Sequence, residues 1–381
     1  MQHGSYNKVL LLAAGHAVTD LPQGAILVAL PFLKDHFGLT YTQVSVIMLI
    51  QSLTSSVSQP IFGYWSDKKP SPWLMPVGCI LSGVGMLASL WASSYEWLLA
   101  FTFLSGLGVA AFHPEGAKAA HLLSGTAKGK GVSFFVVGGS VGMAAGSLFL
   151  AVLLANGPGP QLLLYIVPSL LIGIPLFRVA AQVPRQVGGG VSTGQQCKDL
   201  VSLSLLALLA VVFIRAMISS GLSTFIPLYF VSYLQGSQVF ASSLLSVYLA
   251  AGAIGTLVGG TLSDRYGSKK VMLWSIAPVS LVVGLFQIAN GIWIFVILAL
   301  ASILLSAAHS SSLVLAQRMM PGNVGMASGL TLGFSFGVGS LGVLLLGRIA
   351  DIWTLPAVFD VLAILPLAGL VFTWFVQDIS H

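Results

Sequence analysis

Charge is scarce in this sequence: only 7% of its 381 residues are Asp, Glu, Lys or Arg, against 56% that are apolar. A soluble domain carries about 25% charged residues, so this chain could not cover a water-facing surface. Cysteine is nearly missing as well. Cys79 and Cys197 are the two in the chain, too few and too far apart for a disulfide framework or a thiolate metal site. The His, Asp and Glu residues show no metal-ligand spacing either, and no nucleophile–base pair stands out. No polar stretch is long enough to fold as a domain of its own. An embedded enzyme and a receptor with a soluble binding module are therefore both disfavoured, and no cofactor is expected.

What the chain does have is long apolar runs and a mean hydropathy of +0.95. A membrane-spanning helix needs about 20 predominantly apolar residues. Twelve runs qualify, near 8–31, 43–65, 73–94, 97–121, 131–155, 161–181, 201–230, 239–262, 270–289, 291–317, 324–349 and 354–376. The first is too long for the apolar core of a signal peptide and contains His16 and Asp20, so it reads as a retained span. The longest polar link, Gln182 to Asp199, is rich in Gly, Ser and Gln and falls at mid-chain. The sequence thus divides into an N-terminal six-helix bundle (1–182), a linker (183–199) and a C-terminal six-helix bundle (200–381).

The basic residues orient this arrangement. With a cytoplasmic N-terminus, Lys8, Lys68, Lys69, Lys128, Lys130, Arg178, Arg185, Lys198, Arg265, Lys269, Lys270 and Arg318 all fall inside. Lys34 and Arg348 fall outside, and Lys118 and Arg215 lie within spans. Positive-inside bias places both termini in the cytoplasm. The sequence pI of about 9.4 is accounted for by that bias and calls for no nucleic-acid partner.

One string occurs twice. Gly260-Thr261-Leu262-Ser263-Asp264-Arg265-Tyr266-Gly267-Ser268-Lys269-Lys270 has a weaker twin in Gly63-Tyr64-Trp65-Ser66-Asp67-Lys68-Lys69. Gly63 to Gly260 and Asp67 to Asp264 are the same step, 197 residues (260 − 63 and 264 − 67). Each copy ends one apolar run and is followed at once by another. The pair resembles the signature loops of the major facilitator superfamily, which join helices 2 and 3 and helices 8 and 9 on the cytoplasmic side. That resemblance implies an all-α multi-pass membrane protein of twelve helices in two pseudo-symmetric bundles, a secondary transporter working by alternating access. It also implies a cytoplasmic gate in which Asp67 and Asp264, with Arg265, engage helix N-termini of the opposite half.

Ionisable residues inside apolar spans are functional candidates by default, because an unpaired charge in lipid is costly. Asp20 lies twelve residues past Lys8, roughly 18 Å along a helix and near mid-membrane. His16 precedes it by one turn and shares its face. Arg215 holds a similar depth in the seventh span, where a structural ion pair with Asp20 is the competing reading. The fourth span carries Phe112-His113-Pro114-Glu115-Gly116-Ala117-Lys118-Ala119-Ala120-His121. Pro114 bends that helix, Glu115 and Lys118 are spaced to pair, and Lys118 shares a stripe with Pro114 and His121. His309 and Asp360 complete the set. Gly138, Gly139, Gly142 and Gly146 in the fifth span, and Gly325, Gly329, Gly333 and Gly337 in the eleventh, form small-residue stripes suited to close helix packing.

Within the superfamily the chain resembles the fosmidomycin-resistance family of bacterial drug exporters. The likeness runs through Gly15 to Asp20, Leu30 to Leu33, His36 to Leu39, Phe112 to Glu115, Val137 to Gly139, Ala316 to Gly322, Gly325 to Gly329 and Gly347 to Asp351. It implies proton-driven export of a small compound across the bacterial inner membrane, with His16, Asp20, His113 and Glu115 as the matching polar positions. Asp20 and Glu115 are the expected proton-coupling groups. His16, His113, Lys118, Arg215 and His309 are the expected substrate contacts, a set suited to an anionic or zwitterionic solute. The expected partners are that solute, protons and the lipid bilayer, with the chain acting as a monomer. The pattern departs from the wider group in two places. Ser147 stands where drug–proton antiporters tend to carry proline, and Thr102 where many carry an intramembrane arginine. Proton-coupled import of an organic acid or sugar-like solute is the alternative.

Overall fold

A computed structural model describes residues 3–69, 71–124, 128–183, 203–319, 331, 337 and 339–377. Among them the chain is helical, with no strand. The helices are α1 (His3–Phe37), α2 (Tyr41–Lys68), α3 (Leu74–Leu90), α4 (Tyr95–Leu123), α5 (Lys128–Leu154), α6 (Val167–Ala180), α7 (Leu203–Leu228), α8 (Gln238–Tyr266), α9 (Ser268–Ile276), α10 (Val279–Leu285), α11 (Ile292–Met319), α12 (Gly339–Ile352) and α13 (Leu355–Phe375). A 3₁₀ turn, Pro160–Ile166, leads into α6, and a π turn, Tyr229–Tyr233, extends α7. Among the described residues, ten helical stretches are long and apolar enough to cross a bilayer. The third is shorter at 17 residues.

Two expected spans differ in detail. The run expected over 270–289 is two pieces, α9 and α10, separated at Ala277 and Pro278. Proline has no N–H to continue the backbone ladder, and Pro278 serves instead as the cap of α10. Of the run expected over 324–349, the described part is Thr331, Gly337 and α12; Gly325, Gly329 and Gly333 of its glycine stripe lie outside the described residues. So do the linker from 184 to 202, including Cys197, and the side chains of Asp67 and His121.

Polarity is turned inside out. Large apolar side chains cover the exterior, with Trp374 79% and Leu257 69% exposed, while Asp20, Glu115 and Arg215 are 4%, 2% and 7% exposed. Water would reverse that distribution, and hydrocarbon favours it, since the helices satisfy their own backbone groups.

The chain clusters into two compact units. The first comprises 1–39, 46–190 and 235–246; the second comprises 40–45, 191–234 and 247–381. In the first, α1 packs along α5 and α3 along α4. Glycine makes the α1–α5 contact possible: a Cβ on Gly138, Gly142 or Gly146 would land on the carbonyl of Ala13, Ala17 or Leu21 respectively. Both series advance by about four residues, so one stripe of α5 lies flush on the backbone of α1. In the second unit α7 packs against α12 and α13, and α9 against α11. Leu205, Leu208, Val211, Met272, Ile276 and Leu315 form part of its core.

Candidate functional site

The flush packing of α1 on α5 fixes the most concentrated polar cluster among the described residues. His16 and Asp20 stand one turn apart on α1, with His16 Nε2 3.2 Å from Asp20 Oδ2. From α4, His113 brings its Nε2 to 3.0 Å from His16 Nε2 and 3.5 Å from Asp20 Oδ1. Gln23, on the next turn of α1, donates its amide to Asp20 Oδ1 at 2.7 Å. On the α5 side the wall is Gly139. A Cβ there would lie 2.5 Å from His16 Nε2 and 2.8 Å from Asp20 Oδ2, so a side chain would displace the cluster.

The ring tautomers follow from the main chain. His16 Nδ1 faces the carbonyl of Phe135 at 2.7 Å, and His113 Nδ1 faces the carbonyl of Val109 at 2.8 Å. A carbonyl oxygen only accepts, so both Nδ1 atoms carry hydrogen and donate. In the neutral rings both Nε2 atoms are therefore bare lone pairs, pointed at each other and at Asp20. The surroundings are aromatic: the His16 ring stacks on Phe135 at 4.1 Å between centroids, and Phe112 lies 6.0 Å away. The cluster thus sits in a water-poor environment where charge is expensive unless balanced.

Of the residues singled out in the sequence, His16, Asp20 and His113 come together. Glu115 is buried on the same helix as His113. Two residues on, it projects about 200° around α4 at 100° per residue, away from the cluster. Lys118, half-buried, lies a turn further along. Gly63 on α2 faces Pro114. Asp20 and Arg215, whose ion pair was the competing reading, each have partners within their own unit. Asp20 is engaged by His16, His113 and Gln23. Arg215, on α7, lies within electrostatic range of Tyr248 and of His309 on α11. Tyr248 is tied to α7 through Ser219 Oγ at 3.2 Å. Asp360, near the start of α13, is exposed and accepts from Gln287 at 2.7 Å.

At the signature loop, Asp264 is exposed and 3.7 Å from Arg318, and Arg265 lies over the Tyr266 ring. Three polar contacts were not identified in the sequence. Ser147, the departure from proline, hydrogen-bonds Ser246, whose hydroxyl also donates to the Ala144 carbonyl. Gln23 holds Asp20. Asp351 caps the start of α2 through Tyr41 and Thr42. Each depends on a partner distant in sequence or on an uncharged residue, and neither stands out in a hydropathy trace.

Comparison with known proteins agrees with this architecture. The Major Facilitator Superfamily model matches residues 12–238 and 208–380. The fosmidomycin resistance protein of Escherichia coli K12 is 33% identical over 376 residues, covering 97% of this chain and 92% of that one. The uncharacterised MFS-type transporter YfnC of Bacillus subtilis 168 is 32% identical over 377 residues, covering 96% of this chain and 91% of that one. A crystal structure of a bacterial homologue of the human lysosomal transporter Spinster shares the fold, with a TM-score of 0.76 at 16% identity over 99% of this chain and 95% of that chain. With these matches spanning nearly every helix, the chain belongs to the Major Facilitator Superfamily, as a multi-pass membrane transporter and not an enzyme.

Proposed function

We propose that the chain is a proton-coupled exporter of a small anionic or zwitterionic compound, working by alternating access in the bacterial inner membrane with both termini cytoplasmic. The observation that carries this reading is the 3.0 Å approach of two bare imidazole Nε2 atoms beside the Asp20 carboxylate. Two lone pairs repel at that distance, so the arrangement calls for one proton between them. The resulting positive charge is balanced by Asp20, and the loaded cluster is neutral overall. Without the proton it carries one net negative charge in an aromatic, water-poor site, where charge is costly. Such a cluster takes up a proton when open to an acidic side and yields it when its surroundings change, which is the behaviour coupling requires. Asp20 is its anionic anchor, and His16 and His113 are its proton carriers. Glu115, buried on α4, is the second candidate for coupling.

On the same reading Arg215, His309 and Lys118 attract the solute, and an anion or zwitterion suits that set better than a lipophilic cation. Asp67, Asp264 and Arg265 belong to the cytoplasmic gate, and the chain acts as a monomer of two six-helix halves. The full-length relationship to a fosmidomycin resistance protein supports export. Proteoliposomes with an imposed pH gradient, offered a phosphonate, a carboxylate, a zwitterion and a lipophilic cation, test the proposal. The anionic or zwitterionic compound should move against the proton flow. Movement with the protons makes the chain an importer, and transport indifferent to the gradient contradicts coupling.

A further inference from the structure

The geometry of His16, Asp20 and His113 also meets the requirements of a metal site. Both imidazoles are held by Nδ1–H donation to main-chain carbonyls, at 2.7 Å to Phe135 and 2.8 Å to Val109. Metal-binding histidines are oriented in this way, with the second nitrogen left bare for the ion. His16 Nε2 lies 3.0 Å from His113 Nε2 and 3.2 Å from Asp20 Oδ2, while His113 Nε2 lies 3.5 Å from the other carboxylate oxygen, Oδ1. With one ligand atom taken from each residue, all three lie within 4.8 Å of one another. In a tetrahedral zinc site with bonds of about 2.0–2.1 Å, neighbouring ligand atoms stand about 3.3 Å apart. The His16–His113 and His16–Asp20 Oδ2 edges therefore already sit close to the spacing of a tetrahedral face, and Asp20 presents one oxygen toward each imidazole to supply the third donor. They project from α1 and α4, with α1 packed flush on α5, so no loop has to fold around an ion. Gln23 holds Asp20 Oδ1 at 2.7 Å, which steadies the carboxylate and leaves Oδ2 turned toward His16.

We propose that His16 Nε2, His113 Nε2 and an Asp20 oxygen form a binding site for a first-row divalent transition metal, zinc above all, with a fourth position open. Two imidazoles and one carboxylate suit Zn²⁺ or Co²⁺. Mg²⁺ and Ca²⁺ demand oxygen shells and are excluded. The site stands on geometry alone, independently of whether the cluster carries a coupling proton. If the transport reading also holds, the ion occupies the proton's groups and Zn²⁺ inhibits transport.

Cobalt is the spectroscopic probe. The full chain, purified without a histidine tag in lipid nanodiscs, should develop the intense visible band of four-coordinate Co²⁺ at one ion per chain. Zn²⁺ should abolish that band stoichiometrically, and Mg²⁺ should not. His113→Gln and His16→Gln should each weaken Co²⁺ binding at least a hundredfold, with Asp20→Asn as a third test should either histidine variant fail to fold. His36→Gln, at an exposed position outside the cluster, should leave the band intact. Absence of the band in the wild-type chain, or its survival in every folded cluster variant, overturns the site. Proton-driven transport measured separately in chelator tells the two proposals apart. Loss of the metal site with transport intact sinks only the metal, and a metal band without pH-driven transport sinks only the coupling.

Discussion

Asp351 holds the first turn of a helix that begins 310 residues before it. Its Oδ2 accepts from the N–H and the hydroxyl of Thr42, at 2.8 and 2.5 Å, and its Oδ1 accepts from the N–H of Tyr41 at 2.7 Å. Asp351 and this turn, Thr40–Ser45, lie in the same compact unit. The first N–H groups of a helix have no intrahelical partner, and a carboxylate there also meets the positive end of the dipole. Next to them, a Cβ on Gly347 would lie 2.7 Å from the Tyr41 carbonyl, so the helix can sit this close only with glycine.

Partial burial raises the Asp351 carboxyl pKa, but the hydrogen bonds from Thr42 and Tyr41 outweigh it and hold the group below the ordinary carboxylate range. A depressed acid stabilises the fold above its unfolded pKa of about 3.9 and loses that contribution as pH falls through the folded value. Asp351→Asn, which keeps an acceptor but removes the charge at the helix N-terminus, should therefore lower stability by about 0.3–1 kcal/mol at pH 7. Thermal melts from pH 7 down to 3 should show the gap between wild type and variant closing only at the acid end.

Gly138 and Gly139 are adjacent, and their alanine variants should fail differently. On Gly138 a new Cβ meets the backbone of Ala13, and on Gly139 it meets the side chains of His16 and Asp20. Backbone cannot yield, so Gly138→Ala should destabilise by about 1–3 kcal/mol and reduce the yield of folded protein. Gly139→Ala should fold better and transport worse. Melting temperature and initial transport rate, measured on both, separate the two effects.

The Asp264–Arg318 pair is exposed and 3.7 Å long, and exposed pairs contribute under about 1 kcal/mol. Asp264→Asn should leave melting within a degree or two of wild type. Under the gate reading it should nonetheless slow transport several-fold, as should Asp67→Asn. Unchanged rates in both variants contradict a gating role for the repeated loop.

Topology is checked by thiol labelling in intact cells after Cys79 and Cys197 are replaced. Cysteines placed at Lys34 and Asn156 should react with an impermeant reagent from outside, and one at Gln195 should not. The reverse pattern would invert the membrane orientation and move both signature loops outside.

Much of this was legible in the sequence because hydrocarbon imposes a simple rule. Apolar runs of bilayer length had to be helices, and the 197-residue repeat of Gly63 and Asp67 at Gly260 and Asp264 exposed the duplication. His16 and Asp20 were readable as partners because four residues is one helical turn. Their meeting with His113 was not, since 97 residues separate His16 from it and nothing local says which face of α4 turns toward α1. The glycine stripe of α5 carried that information only as a capacity for close packing. The same limit hid Asp351, whose partners lie near the other end of the chain. The split of the ninth span at Pro278 was visible in principle, but the apolar run on either side concealed it.

The central claim is that Asp20, His16 and His113 carry the coupling proton. Its most direct test compares Asp20→Asn with wild type in proteoliposomes, measuring both pH-driven accumulation and substrate counterflow without a gradient. The amide keeps size and can still accept a hydrogen bond, but it cannot carry the charge that balances a proton on the imidazoles. The account predicts counterflow within a few-fold of wild type and no accumulation driven by the pH gradient. Accumulation against a gradient with wild-type pH dependence would contradict it and move the coupling to Glu115.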